Sequence, residues 1–208
     1  MEELFDAGPS AGGARPKATV RNEVGMLWLA KFPSKGDGYD SAMAEFYTLT
    51  LAKLCGMSVP GIHVLNLGEK SVLMIQRFYR YCGDATSVPW TQELHQTMPD
   101  RGSSEKRLPF VSGLTLIGAS EMDTTARSYL KLGQAVRRHA NVHFIRQNNR
   151  ELFMRMVFNI FVSNNDDHLR NHGFVHDSRL GGWRLSPLYD VVPRLELPSS
   201  VISNWMLD

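Results

Sequence analysis

Two short segments near the end of the chain constrain its fold more than anything else in it: Asn165-Asp166-Asp167-His168-Leu169-Arg170-Asn171, and Leu188-Tyr189-Asp190. Between them, Gly173 to His176 and Trp183 to Ser186 read as short strands joined by a turn at Gly181-Gly182. Before them, Asn149 to Ser163 has helical periodicity, with Leu152, Phe153, Met156, Val157, Ile160 and Phe161 as the apolar face. The fold must therefore carry an Asp and an Asn on a loop after a core helix. It must return a second Asp to the chain just beyond a hairpin.

Phosphoryl transfer of the kinase type uses that set of groups: one carboxylate for the acceptor hydroxyl, an amide and a second carboxylate for Mg²⁺ on the ATP phosphates. Asp166 and Asn171 have the D-x-x-x-x-N spacing of a kinase catalytic loop, which favours Asp166 and leaves Asp167 as the alternative. A polar turn after a helix selects the same residue types, but it does not supply Asp190 beyond a hairpin. Upstream lie a Gly-rich stretch, Ser10 to Lys17, and Lys31 inside the apolar run Leu27 to Phe32. Glycines let backbone N–H groups approach phosphate, although the stretch is not a Walker A loop. A Lys within an apolar strand needs an anion or a snorkelling stem; Glu45 on the next helix is the candidate carboxylate. His168, His172 and His176 recur every four residues, but Gly173 and the strand after it break any shared helical face, which argues against a three-histidine zinc site.

At 208 residues the chain is long enough for one large domain or two small lobes with a buried core. A formal net charge of +2 gives no general nucleic-acid footprint, so no direct nucleic-acid binding is expected. Two cysteines make neither a disulfide framework nor a zinc ribbon, which fits a reducing, cytoplasmic setting. The acidic N-terminus lacks the apolar region of a signal peptide, and no apolar run approaches the roughly 20 residues that span a bilayer.

Residues 17–23 and 26–32 read as a hairpin around Asn22 to Gly25. Ser41 to Cys55 reads as a helix closed by Gly56. Pro60 to Leu67 and Ser71 to Phe78 read as a second hairpin around Gly68-Glu69. The composition then turns to Ser, Thr, Gly, Pro and charge, and Thr125 to His139 reads as a helix. The expected organisation is a β-rich nucleotide-binding lobe over 1–81, a linker or mobile loop over 82–107, and a helical lobe over 108–208.

These pieces, in this order, resemble the HipA-type serine/threonine kinases of bacterial toxin–antitoxin modules. The resemblance is carried by Gly12 to Lys17, Trp28 to Pro33, Glu45 through Ala52 and Gly56 to Pro60, Ile75 to Phe78, Asn165 to Phe174 and Trp183 to Asp190. It implies an α+β, two-lobed protein-kinase-like fold with a shortened helical second lobe. It implies Asp166 as catalytic base with His168 beside it, and Asn171 and Asp190 as Mg²⁺ ligands. Lys31 would bind the ATP phosphates. Gly12, Gly13, Ala14 and Lys17 would cover them, and Ile75, Gln76 and Phe78 would hold adenine. Ser10 stands where the family carries an inhibitory autophosphorylated serine. The implied partners are a protein substrate such as an aminoacyl-tRNA synthetase and a small DNA-binding antitoxin, with no membrane. Family members carry a further subdomain before the Gly-rich loop and further helices after the metal Asp, whereas this chain stops 18 residues past Asp190. A fragment or shortened form is therefore expected, with Leu152, Phe153, Val191, Val192 or Leu195 short of cover. The alternatives are a non-catalytic pseudokinase acting as a binding module, and a lipid or small-molecule kinase, since the D-x-H-x-x-N form also resembles phosphoinositide kinases.

Overall fold

A computed structural model of the chain describes residues 16–23, 26–34, 37–82, 105–123, 128–177 and 181–194. Ser10, Gly12, Gly13 and Ala14 lie outside the described residues, as do 83–104 of the expected linker. The chain divides into two compact units, one drawn from 1–47 and 60–108, the other from 48–59 and 109–208.

In the first unit, β1 (Lys17–Arg21) and β2 (Leu27–Lys31) form the expected antiparallel hairpin, with Lys17 opposite Lys31. Asn22 closes its turn. The Asn22 N–H donates to the Met26 carbonyl at 3.0 Å, and Asn22 Oδ1 accepts from the Met26 N–H at 2.8 Å, the local bonding that favours Asn in turns. β3 (Ile62–Leu67) and β4 (Lys70–Gln76) form the second hairpin around Gly68, whose φ of +62° suits glycine. The sheet order is β1-β2-β4-β3. Central β4 is buried from Val72 through Gln76, which is why it reads as a continuous apolar run instead of an alternation. Val20, Ala30, Val72 and Met74 cluster on one face; Lys31, next to Ala30, belongs to the other.

Helix α1 (Ser41–Leu54) starts at Asp40, whose Oδ1 accepts from the Met43 N–H at 3.0 Å. It ends in a Schellman arrangement: Met57 N–H bonds Ala52 O and Gly56 N–H bonds Lys53 O, with Gly56 at φ +84°. Its second half belongs with the second unit, which takes 48–59 as well as 109–208. The hydrogen bonds explain this, because Ser58 accepts from the Leu188 N–H at 2.7 Å and donates to Glu151 at 3.4 Å. The segment expected as a linker, 82–107, is described only at its two ends. Its last residues, Glu105–Arg107, form β6 and pair antiparallel with β5 (Arg80–Cys82).

In the second unit, β7 (Phe110–Ser112), β8 (Gly173–His176) and β9 (Trp183–Leu185) make an antiparallel sheet in that order. One short helix, α2 (Gly113–Leu116), follows β7. Helices α3 (Tyr129–His139) and α4 (Ile145–Phe161) pack over a core of Leu132, Val136, Leu152, Leu169, Phe174 and Leu185. Ser128 caps α3, accepting from the Leu130 N–H at 3.2 Å. The helix expected from Thr125 begins, among the described residues, at Tyr129. The one expected from Asn149 begins earlier, at Ile145.

The expected apolar face of α4 is corrected. Its buried side chains are Asn148, Leu152, Arg155, Phe158 and Asn159, whereas Phe153 is 62% and Phe161 83% exposed. The helix is turned so that polar groups enter the core, where they hold the loop that follows. Of the residues expected to be short of cover, Leu152 and Val191 are buried and Phe153 is exposed, and Leu195 lies outside the described residues.

Gly173 is the tightest point of the sheet. A Cβ there would collide with the Phe110 ring and lie 2.8 Å from Ser186 Oγ. Gly173→Ala should therefore destabilise the protein by about 1–3 kcal/mol, as overpacking does. A fall in the urea midpoint at unchanged slope checks this.

Candidate active site

The loop after α4 is built from hydrogen bonds between side chains and main chain. Ser163 turns it at φ +54° and accepts from the Arg194 N–H at 3.2 Å. Asn164 is buried; its Nδ2 donates to Asn159 Oδ1 at 3.2 Å and its Oδ1 accepts from the Asp166 N–H at 3.3 Å. The Asp166 carbonyl accepts from the His168 N–H at 3.1 Å and from Asn171 Nδ2 at 2.8 Å. The main chain of Asp166 is thus clamped on both sides, while its side chain is 86% exposed and lies 3.8 Å from His168 Nε2.

Asp167 is the opposite case. Its side chain is 2% exposed. It accepts from the Tyr129 hydroxyl at 2.6 Å and pairs with His172 Nε2 at 2.9 Å. Burial pushes its pKa up, but hydrogen bonds and charge from His172, with further bonds from Tyr129 and Asn159, outweigh that and hold it below the ordinary Asp value. Burial, then the Asp167 charge, pushes the Tyr129 phenol far above its usual range, so it stays a donor. The two neighbouring carboxylates therefore differ: one faces water, the other is spent on the core.

A carboxylate whose pKa is lower folded than unfolded adds stability above its unfolded pKa and loses it as pH falls through the folded value. The unfolded reference for Asp167 is 3.8. The stability advantage of the parent over Asp167→Asn should be constant near neutrality and shrink as pH drops below that value. Urea midpoints of both proteins between about pH 7 and pH 2 check this; a difference independent of pH would contradict it.

The second Asp stands on a segment fixed at several points. Arg155 is fully buried and donates through Nη2 to the Ser186 carbonyl and to Glu151, each at 2.5 Å. The Ser186 N–H bonds Gly173 O at 2.8 Å, and the Tyr189 hydroxyl donates to the Arg170 carbonyl at 2.8 Å. That last bond ties the residue before Asp190 to the residue before Asn171. Asp190 sits at φ +59°, a left-handed conformation that Asp tolerates better than most residues and that recurs at functional sites. Asn171 Nδ2 is engaged by the Asp166 carbonyl at 2.8 Å, so an Mg²⁺ ion would meet Asn171 through its amide oxygen and Asp190 through its carboxylate. These are hard oxygen donors of the kind Mg²⁺ takes.

The three histidines go separate ways. His172 serves Asp167, His176 Nε2 accepts from the Gly182 N–H at 3.3 Å, and His168 is beside Asp166. Among the described residues no cluster of three His, Cys, Asp or Glu side chains could hold a metal ion.

In the first unit, Lys31 Nζ meets Glu45 Oε1 at 2.6 Å, with the two side chains 11% and 5% exposed. Lys17 lies directly across the hairpin from Lys31. Ile75 and Gln76 are buried at the end of β4, with the Gln76 N–H on Gly61 O at 2.8 Å, and the Phe78 ring packs edge-on to Tyr79 at 5.6 Å. Among the described residues no helix is long and apolar enough to cross a membrane.

Tyr129, Asn159, Asn164 and Arg155 escaped the sequence reading. The last three had a signal: polar residues at positions of α4, and just beyond it, that helical spacing assigns to the buried side need partners. Tyr129 had none, because its partner lies 38 residues away.

The chain is similar to several known proteins. The HipA-like C-terminal domain family matches residues 9–205. A Haemophilus influenzae protein named "Putative kinase" is 34% identical over 154 residues, covering 71% of this chain and 40% of its own length. A Sinorhizobium fredii protein of the same name, Y4dM, is 23% identical over 198 residues, covering 88% of this chain and 42% of its own. Among solved structures, the Shewanella oneidensis toxin–antitoxin HipA, from a complex with HipB and operator DNA, superposes with a TM-score of 0.64 at 21% identity over 93% of this chain and 46% of that one. The Helicobacter pylori proinflammatory kinase CtkA gives 0.56 at 15% identity over 84% and 53%. The fold is thus kinase-like, and the chain spans about half the length, or less, of the proteins it matches.

Proposed function

Since the chain belongs to the HipA-like C-terminal domain family, we propose that it transfers the γ-phosphate of ATP to a serine or threonine hydroxyl of a protein, with Mg²⁺. The observation that carries this is the contrast at Asp166-Asp167: an exposed carboxylate on a clamped main chain beside a buried one. Asp166 accepts the acceptor hydroxyl's proton as that oxygen bonds to the γ-phosphorus and the bond to the β–γ bridging oxygen breaks, releasing ADP. Asn171 and Asp190 would hold Mg²⁺, which would neutralise phosphate charge. Lys31, oriented by Glu45, binds phosphate oxygens, with Lys17 beside it. Ile75, Gln76 and Phe78 line the adenine. Gly12, Gly13 and Ala14 cover the phosphates. Ser10 is the site of inhibitory self-phosphorylation, since a phosphate adds about −1.5 to −2 charges near an anionic nucleotide.

The proposed partners are an antitoxin and a protein acceptor. The Shewanella HipA was solved with HipB and operator DNA, which supports a small DNA-binding antitoxin as partner here. The proposed acceptor is a protein such as an aminoacyl-tRNA synthetase.

Calorimetric titration with Mg²⁺-ATP tests the metal side of this reading. Binding should require Mg²⁺, and Asp190→Asn should weaken it by about tenfold or more, because a neutral amide compensates the phosphate charge less than a carboxylate does. Equal affinity in parent and variant would remove Asp190 from the metal site.

A further inference from the structure

Resting on that kinase reading, we propose that Tyr129 and Asn159, on two helices outside the motif, are positioning residues for Asp166. Because the Asp166 side chain is exposed, its placement comes from its main chain. The N–H of Asp166 is held by Asn164, Asn164 by Asn159, Asn159 by Tyr129, and Tyr129 by Asp167. This is one closed path that leaves the loop, crosses α4 and α3, and re-enters the loop at the next residue.

The path has a fixed direction. Ionised Asp167 can only accept, so the Tyr129 hydroxyl donates its single proton there. That hydroxyl must then accept from Asn159 Nδ2, at 3.1 Å. Asn159 is left with its oxygen for Asn164 Nδ2, and Asn164 with its oxygen for the Asp166 N–H. The buried carboxylate thus sets the amide orientations up to the exposed one. This accounts for two adjacent aspartates with unlike surroundings: Asp167 anchors the loop on which Asp166 works. The Tyr129 ring is also edge-on to His172, centroids 5.0 Å apart, so the second donor to Asp167 is held by the same side chain.

Tyr129→Phe keeps the ring and removes the oxygen on which the path turns. The expected result is a kcat lower by about 10–100-fold, the scale on which small misplacements of a catalytic group act, with KM for Mg²⁺-ATP within about twofold of the parent. Amide hydrogen exchange at Asp166 should speed up by about tenfold or more relative to the middle of α4. Val136→Ala, at a buried position of the same α3, is the control; it should lower the melting midpoint and leave kcat and loop exchange as in the parent. Adding Tyr129→Phe to Asp167→Asn should cost little more kcat than Asp167→Asn alone, since both cut one path. Parent-like kcat in Tyr129→Phe, a loss without faster Asp166 exchange, or a loss matched by Val136→Ala would overturn the proposal. If the parent transfers no phosphate at all, the kinase reading fails by itself. Exchange at Asp166 then decides the positioning: faster exchange supports the anchored loop, and unchanged exchange overturns it.

Discussion

Asp166→Asn is expected to lower the rate of phosphoryl transfer by about 10²–10⁴-fold, the usual contribution of a general base, while Mg²⁺-ATP affinity stays within about twofold. The amide has the shape of the carboxylate but cannot take the hydroxyl proton. The main-chain bonds that hold the loop are made by the N–H and carbonyl of residue 166, so the substitution leaves them in place. Fold stability should also stay within about 0.5 kcal/mol, since an 86% exposed side chain contributes little to packing. The neighbouring substitution should behave differently. Asp167→Asn puts an amide where the Tyr129 hydroxyl and the His172 ring both need an acceptor. It should cost about 1–3 kcal/mol of stability through unsatisfied buried groups, and lose activity as a consequence. Steady-state kinetics beside urea titrations separate the two. A stable, inactive Asp167→Asn with a fully active Asp166→Asn would reverse the assignment.

Lys31→Met should have the largest effect on stability, about 3–5 kcal/mol, the scale seen when one partner of a buried ion pair is removed. Glu45 is 5% exposed and loses the cation 2.6 Å away. The effect should be smaller at pH 5 than at pH 8, because a buried carboxylate that loses its counter-charge takes up a proton. Lys31→Met should also weaken Mg²⁺-ATP binding in whatever fraction remains folded. A variant as stable as the parent at pH 8 would show that the pair contributes nothing net.

The local arrangement around Asp166, Asn171 and Lys31 was legible where chemistry dictates residue type at short range. The five-residue step from Asp166 to Asn171 is a hydrogen bond in the fold, Asn171 Nδ2 to the Asp166 carbonyl. The hairpin that returns the chain to Asp190 is set by β8 and β9 pairing. Lys31 in an apolar strand demanded an anion, and Glu45 meets it. The two early hairpins and the Gly56 stop were equally local, being matters of alternation and turn residues. What stayed hidden depends on contacts distant in the chain. Apolar periodicity placed Phe153 and Phe161 in the core, whereas α4 buries Arg155 and Asn159, because Ser186, Tyr129 and Asn164 supply their partners. The turn-rich composition after Tyr81 concealed the strand Glu105–Arg107, whose pairing with Arg80–Cys82 spans more than 20 residues.

Asp166 is proposed as the base of a phosphoryl transfer. The most direct test is incubation of the parent and Asp166→Asn with γ-labelled ATP, Mg²⁺ and a protein acceptor, followed by identification of the labelled amino acid. Label on serine or threonine with the parent, dependent on Mg²⁺ and reduced by about 10²-fold or more in the variant, is the result predicted. Transfer at the same rate by both proteins would contradict it.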